Sequence, residues 1–182
     1  MKKILTAALL ALFFVCATAR AGTYFDNQYK FQIALPENWT VADKSKFDQK
    51  SLLELYRNDS SPGGKTLISI SAAPAQSGRP DFSFANMTEE EKRGLFADKL
   101  AKIKDKLPAN STLDSQVTDS WATNSFLVVS LTCPDEGGEY KAVVALTYAD
   151  GRQYCFCLFA GANDQSAADD FYAMLGSLKL LK

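Results

Sequence analysis

Three apolar segments decide the fold: FLVVSLTC at residues 126–133, YKAVVALTYA at residues 140–149 and QYCFCLFAG at residues 153–161. β-Branched and aromatic residues of this kind are typical of strands. Asp150 and Gly151 separate the second segment from the third, and an Asp-Gly pair between two apolar runs predicts a two-residue hairpin turn. The segments therefore predict a three-stranded antiparallel meander.

The 153–161 segment is apolar on both sides, which predicts a central strand covered on both faces. The tight turn also fixes the register of the hairpin. It places Cys155 opposite Leu146 and Cys157 opposite Val144. Because residues i and i+2 of a strand point to the same face, the two sulfur atoms should lie side by side.

This cysteine pair is the one arrangement in the sequence with reactive potential, and Cys155 and Cys157 form a speculative thiol site. The two thiols could form an easily reduced disulfide or offer soft thiolate ligands to copper or zinc. The competing interpretation is that both are small apolar fillers, whose neighbours raise the thiol pKa and make them inert. If Cys133 pairs near Tyr140, it lies on the order of 15 Å from Cys157, too far for a disulfide.

Working outward, two helices are predicted. Thr88 and Glu91 form a capping box at the start of the first helix, which Pro108 ends. A cap at Asn163 or Asp164 begins the second helix. Each helix has one apolar stripe at helical spacing: Phe96, Leu100, Ile103 and Leu107 in the first, and Ala168, Phe171, Leu175 and Leu178 in the second.

Further strands are predicted at residues 23–25, 29–35, 52–57, 66–72 and 115–119, and another begins at Trp39. An acidic loop with Asp135, Glu136 and Glu139 could hold calcium, but its spacing does not match the EF-hand loop, and an acidic hairpin turn is usually only solvated. The elements together predict an α+β domain with helices packed against a mainly antiparallel sheet.

The first 21 residues predict a secretory signal peptide. Lys2 and Lys3 precede an apolar run, and Ala19-Arg20-Ala21 offers the small-residue pattern at which a signal peptidase cuts. We expect cleavage after Ala21, which leaves residues 22–182 as one domain. Lipidation of Cys16 is the alternative, and the residues before Cys16 match a lipoprotein signal poorly.

The composition argues against several classes of function. The 182-residue sequence has no histidine, which argues against Ser-His-Asp and Cys-His nucleophiles and His-ligated zinc. Removal of residues 1–21 leaves 17 Lys and Arg against 21 Asp and Glu, a net charge of −4 with no basic run, so nucleic acid is not expected as a partner. No Gly-rich phosphate loop follows a strand. We assign no catalytic residue, cofactor or metal site and expect a protein that is not an enzyme.

Two motifs near the chain ends resemble a known family. Residues 29–39 read YKFQIALPENW, a strand that ends in Leu-Pro-x-x-Trp, and residues 171–180 read FYAMLGSLKL, a helix followed by a strand-like tail. Both resemble the Mog1/PsbP-like superfamily, which includes DcrB-like bacterial exported proteins. The resemblance implies an α/β/α sandwich around an antiparallel sheet and a non-enzymatic accessory or binding domain.

These observations predict an exported, non-catalytic binding or accessory domain at the bacterial cell envelope, periplasmic or secreted, with no transmembrane segment after cleavage. The expected partner is a protein, and the oligomeric state stays open. Trp39 and Trp121 are candidate contact residues if they are exposed. The alternative function is a thiol-redox or soft-metal-binding protein that uses Cys155 and Cys157.

Overall fold

The computed structural model describes residues 22–43, 51–58, 65–75, 82–105, 107–121, 123–135 and 138–181. The predicted signal peptide, its cleavage site and Cys16 lie outside the described residues. The same holds for Glu136 of the acidic loop.

Ten strands and two α-helices are present in the described part, with a short 3-10 helix at Phe84–Asn86. The strands are β1 (Thr23–Asp26), β2 (Phe31–Ala34), β3 (Thr40–Val41), β4 (Leu53–Asn58), β5 (Lys65–Pro74), β6 (Thr112–Trp121), β7 (Asn124–Asp135), β8 (Gly138–Ala149), β9 (Arg152–Gly161) and β10 (Lys179–Leu180). The helices are α1 (Glu89–Lys104) and α2 (Gln165–Gly176).

The main sheet has seven strands in the order β3-β4-β5-β9-β8-β7-β6, and its paired strands are antiparallel. β7, β8 and β9 form the predicted meander, and β6 adds a fourth strand to it. Cys155 pairs with Leu146 and Cys157 with Val144, so the predicted register is confirmed. Gly151 has the expected positive φ of 69°, and Asp150 has one too, at 48°. A two-residue turn of this type needs positive φ at both positions.

One face of the main sheet is closed by α2 and by a second, three-stranded sheet in the order β1-β2-β10. Phe31 from β2, Phe156 from β9 and Phe171 from α2 are all completely buried in this core. The Ser177 hydroxyl accepts a hydrogen bond of 2.9 Å from the Ala34 N–H and so joins β2 to the end of α2. Asp164 is the N-cap of α2, and it is one of the two residues predicted for this position.

α1 packs on the opposite face, over β7 and β8. Neighbouring residues Val128 and Val129 alternate between the core under α2 and the core under α1, as strand geometry requires. The predicted stripe of α1 contacts this second core but is only partly buried. Its capping box is confirmed: Thr88 accepts from the Glu91 N–H at 3.2 Å, and Glu91 accepts from the Thr88 N–H at 2.7 Å. The predicted α+β arrangement, with helices on both faces of the sheet, is confirmed.

The expectation that β9 is covered on both faces is right for one face only. On the α2 side, Tyr154, Phe156 and Leu158 are fully buried, whereas on the α1 side Phe159 is 36% exposed and both cysteines are half-buried. The core under α1 consists of side chains from β7 and β8. β9 therefore lies at the margin of the area that α1 covers.

Candidate functional site

β6 forms one edge of the main sheet. It is last in the strand order, and no strand of the described residues pairs with its outer side. The side chains of its first nine residues are exposed, including Val117 at 48% and Leu113 at 38%. In an edge strand, alternate N–H and C=O groups point away from the sheet and can pair with another strand.

A groove of about 390 Å³ separates β6 from α1. Phe96, Ala97 and Leu100 supply its apolar wall from the helix, and Gln116 and Thr118 line it from the strand. Its rim is charged and comes from the first turns of α1, where the Lys92 ammonium contacts Glu89 at 2.7 Å. The groove therefore offers an apolar interior beside an unpaired strand edge.

On the other face of β6, Val117, Asp119 and Trp121 follow one another at every second position. The Trp121 ring stacks on Tyr172 of α2 with 5.4 Å between ring centroids, and it contacts Phe126 at the same distance. Burial and then the charge of Asp119 raise the pKa of the Tyr172 hydroxyl. Trp121 is thus half-buried at the end of the edge strand, with a carboxylate next to it on the same face.

Trp39, the other candidate contact residue, lies at the opposite side of the sheet and is only 8% exposed. Its indole N–H donates to the Asp170 carboxylate at 2.9 Å. The guanidinium of Arg57 lies over the ring, 5.4 Å from its centroid. Trp39 therefore joins the beginning of β3 to α2 and presents little surface, and its contact role stays a prediction.

Arg57 is the centre of a polar cluster that sequence reasoning missed. Its guanidinium forms ion pairs with Asp164 and Asp170, and it donates to the Ser166 hydroxyl at 3.0 Å. Burial alone would raise the pKa of the Asp164 carboxyl, but hydrogen bonds from Arg57, the Ala167 N–H and Ser166 lower it to about 2. No local motif marks this cluster, because β4 and α2 are more than 100 residues apart in the chain.

The sulfur atoms of Cys155 and Cys157 lie 3.6 Å apart on the α1 side of β9. Both thiols are free and half-buried. Ser71 and Ser69 of β5 stand opposite them on one side, and Leu146 and Val144 of β8 stand opposite them on the other. The structure therefore brings together the two residues of the predicted thiol site.

The two thiols affect each other's protonation. The hydrogen bond with Cys157 lowers the pKa of Cys155 and outweighs burial, with smaller contributions from Ser71 and the charge of Lys99. The same hydrogen bond, together with burial, raises the pKa of Cys157 well above its ordinary value. The interpretation of both thiols as inert apolar fillers stays a prediction. Sequence reasoning missed the hydrogen bond between the thiols because it depends on the distance between the sulfur atoms.

The remaining candidate ligands do not come together into a metal site within the described residues. Cys133 is fully buried and unpaired, and it stands opposite Tyr140, as the register predicted. Among the described residues, no group of three or more His, Cys, Asp or Glu side chains could hold a metal ion. The calcium interpretation of the acidic loop stays a prediction, because part of that loop lies outside the described residues. Within the described part, no helix has the length and apolar character needed to cross a membrane.

Comparison with known proteins gives the fold. No family model and no curated protein matches the sequence. Among solved structures, PsbP (CyanoP) from Synechocystis superposes with a TM-score of 0.62 at 10% identity, covering 92% of this chain and 95% of that protein. The Ran-binding protein Mog1p of Saccharomyces cerevisiae gives 0.51 at 8% identity, covering 90% and 97%. This is a Mog1/PsbP-like fold. The fold that the resemblance of the two end motifs implied is confirmed.

Two further structures with this fold are bacterial. LpqN of Mycobacterium tuberculosis, involved in cell envelope biogenesis, has a TM-score of 0.60 at 8% identity, covering 90% of this chain and 86% of that protein. A Bacteroides thetaiotaomicron protein also gives 0.60, at 13% identity. The match covers 90% of this chain but only 49% of the Bacteroides protein. Identities this low show a shared fold alone, so the function must come from the site.

Proposed function

We propose that this Mog1/PsbP-like chain is an exported, non-catalytic binding domain that acts in the bacterial cell envelope through a protein partner. Residues 1–21 have the pattern of a secretory signal peptide. The likeness to LpqN, which is involved in cell envelope biogenesis, and to the Ran-binding protein Mog1p supports an accessory or binding role. It does not favour the alternative of a thiol-redox or soft-metal protein as the main function.

The exposed edge strand β6, with the groove beside it, is the observation that carries this proposal. An extended segment of a partner can add to β6 through backbone hydrogen bonds. Its alternate side chains then point to opposite faces. One set enters the groove against Phe96 and Leu100, and the other set lies beside Val117, Asp119 and Trp121.

The charges of β6 indicate the chemistry of that partner segment. Asp114 and Asp119 are the ionisable residues of the strand, which has no Lys or Arg. A basic side chain placed next to Asp119 and Trp121 would meet both a carboxylate and an aromatic ring. The segment that fits is therefore extended, with apolar residues on the groove side and a Lys or Arg on the opposite side.

Two valines of matched exposure allow a direct test. Val117 lies on the β6 edge at 48% exposure, and Val41 lies on the β3 edge at 49%. A photo-crosslinking amino acid at each position, in cells of the native host, should give an adduct at position 117 and none at position 41. Asp119→Lys should abolish the adduct at position 117, and mass spectrometry should map a basic, extended peptide of the partner.

Equal labelling at both positions, or an adduct that Asp119→Lys leaves unchanged, would contradict binding along β6.

Export is tested separately by the intact mass of the protein from its native host. A chain that begins at Gly22 supports cleavage after Ala21, and a diacylated chain that begins at Cys16 supports the lipoprotein alternative. A chain that keeps residues 1–21 would contradict export by a cleaved signal.

A further inference from the structure

The order of side chains along the groove follows from the strand register and from the contacts of α1. Thr118 of β6 stands opposite Leu127 of β7, and Gln116 stands opposite Val129. Leu100 and later residues of α1 pack in the cluster that contains Val129, and earlier residues of α1 pack in the cluster that contains Leu127. α1 and β6 therefore run in opposite directions, with the first turns of the helix beside Thr118 and Leu100 beside Gln116.

The end of the groove beside Thr118 is positively charged. Arg93 of α1 lines the groove and is exposed, and its guanidinium forms no ion pair within the described residues. Glu89 and Lys92, the other charged residues of the lining, form an ion pair with each other. The remaining positive charge of the lining is that of Arg93, and the wall beyond it, towards Leu100, is apolar.

The other face of β6 carries the opposite charge at the same level of the strand. Asp119 follows Thr118 directly, and successive side chains of a strand point to opposite faces. The Asp119 carboxylate accepts from the Ser120 N–H at 2.7 Å and forms no ion pair within the described part of the chain. In a strand paired with β6, one residue would therefore face Arg93 while the residue next to it faces Asp119.

On the basis of the proposed binding along β6, we infer that the partner segment carries an acidic residue directly beside its basic residue, and that Arg93 binds the acidic side chain at the groove. A guanidinium can hold a carboxylate through two parallel hydrogen bonds. Two positions from the acidic residue, on the same face of the segment, an apolar residue contacts Leu100. An antiparallel segment reads basic-acidic-x-apolar, and a parallel segment reads the reverse.

Arg93 and Asp119 together determine which segments are accepted. A segment with the two charges exchanged would place like charges next to both residues, which is strongly unfavourable in an interface. The β6 strand of a second copy does not fit either, because β6 has no Lys or Arg. The expected partner is therefore a different protein with adjacent charges of opposite sign in an extended segment.

The test measures the adduct formed by the photo-crosslinking residue at position 117 of the full-length chain, in cells of the native host. Arg93→Gln should lower the adduct yield roughly threefold and Arg93→Glu about tenfold, because the glutamate replaces attraction by repulsion. Lys102→Gln is the matched control: it removes another exposed cation of α1, outside the groove lining, and should leave the yield unchanged. Circular dichroism checks that each variant is folded.

A charge exchange across the interface separates recognition by Arg93 from a purely structural effect. In the partner segment mapped by mass spectrometry, replacement of the acidic residue by Lys should restore the adduct in Arg93→Glu and lower it in the unmodified chain. Failure of this rescue, a mapped segment without adjacent acidic and basic residues, or an adduct unchanged in both Arg93 variants would overturn the role of Arg93 and leave binding along β6 standing. No adduct at position 117 of the unmodified chain would contradict both proposals.

Discussion

The two faces of the main sheet differ in how completely they are covered. Under α2 and the small sheet lies a dense aromatic core in which Phe31, Phe156 and Phe171 are completely buried. On the other face, α1 has no fully buried residue, Phe159 of β9 is exposed, and Cys155 and Cys157 are partly buried. We therefore expect the face under α2 to supply most of the stability, while the other face carries the groove and the thiol pair.

The strongest test of this contrast uses two phenylalanines on the same strand. Phe156 points into the core under α2 and is completely buried, whereas Phe159 points to the α1 side and is 36% exposed. Phe156→Ala should lower the free energy of unfolding by about 3–5 kcal/mol, and Phe159→Ala by roughly 1 kcal/mol or less. Urea denaturation measures both. Similar losses for the two variants would show that the faces contribute equally.

A second test concerns the polar cluster at the rim of the core under α2. Arg57→Met should cost about 2–3 kcal/mol at pH 7, because it leaves the Asp164 carboxylate without its partner in a partly buried place. Lys102→Met breaks the exposed pair with Asp98 and should cost less than about 0.5 kcal/mol. Urea denaturation of both variants makes the comparison, and an equal cost would contradict a special role for Arg57.

The same cluster predicts a pH dependence. The folded pKa of Asp164 is about 2, below its ordinary value of 3.8, so its stabilising effect is present above about pH 4. That contribution is lost as the pH falls through the folded pKa, between about pH 4 and pH 2. Unfolding free energies measured across this range should fall less steeply in Asp164→Asn than in the unmodified chain. Identical slopes would mean that Asp164 does not titrate with folding.

The capping box of α1 tests whether the less covered face can be weakened alone. Thr88→Ala removes the side chain that accepts from the Glu91 N–H and should cost about 1 kcal/mol. Hydrogen exchange should accelerate in the first turns of α1 and stay unchanged in α2, since the two helices pack on opposite faces. Faster exchange in both helices would show that the faces unfold as one unit.

The smallest expected change in stability is at the sheet edges. Val117→Lys and Val41→Lys alter valines of equal exposure and should each shift the unfolding free energy by less than about 0.5 kcal/mol. A lysine on an edge strand discourages the addition of another strand. Val117→Lys should therefore reduce recovery of the partner identified by crosslinking, while Val41→Lys should not. Equal recovery in both variants would separate partner binding from β6.

Local signals predicted much of the fold. The Asp150-Gly151 turn fixed the pairing of Cys155 with Leu146, and the Thr88–Glu91 box marked the first residue of α1. Both depend on residues close together in the chain, where turn and cap chemistry act directly. The resemblance to Mog1/PsbP-like proteins supplied the order of layers, which local patterns alone leave open.

The parts that escaped prediction depend on contacts between distant segments. The pairing of β10 with β2, and of Arg57 with Asp164, joins residues whose separation leaves no periodic pattern to read. The same is true of the groove, which exists only because α1 lies beside β6. The i, i+2 spacing placed Cys155 and Cys157 side by side, but the 3.6 Å between their sulfur atoms depends on rotamers that neighbouring strands select.

The position of β10 has a consequence for the order of folding. β2 can pair with β1 as soon as both are synthesised, but β10 reaches it only after the meander and α2, and the Ala34–Ser177 hydrogen bond spans 143 residues. Closing such a long loop is entropically costly and slow. During synthesis from the N-terminus, the most stabilising core is therefore the last to close. A stalled or truncated chain would keep its most aromatic surface open to chaperones and proteases.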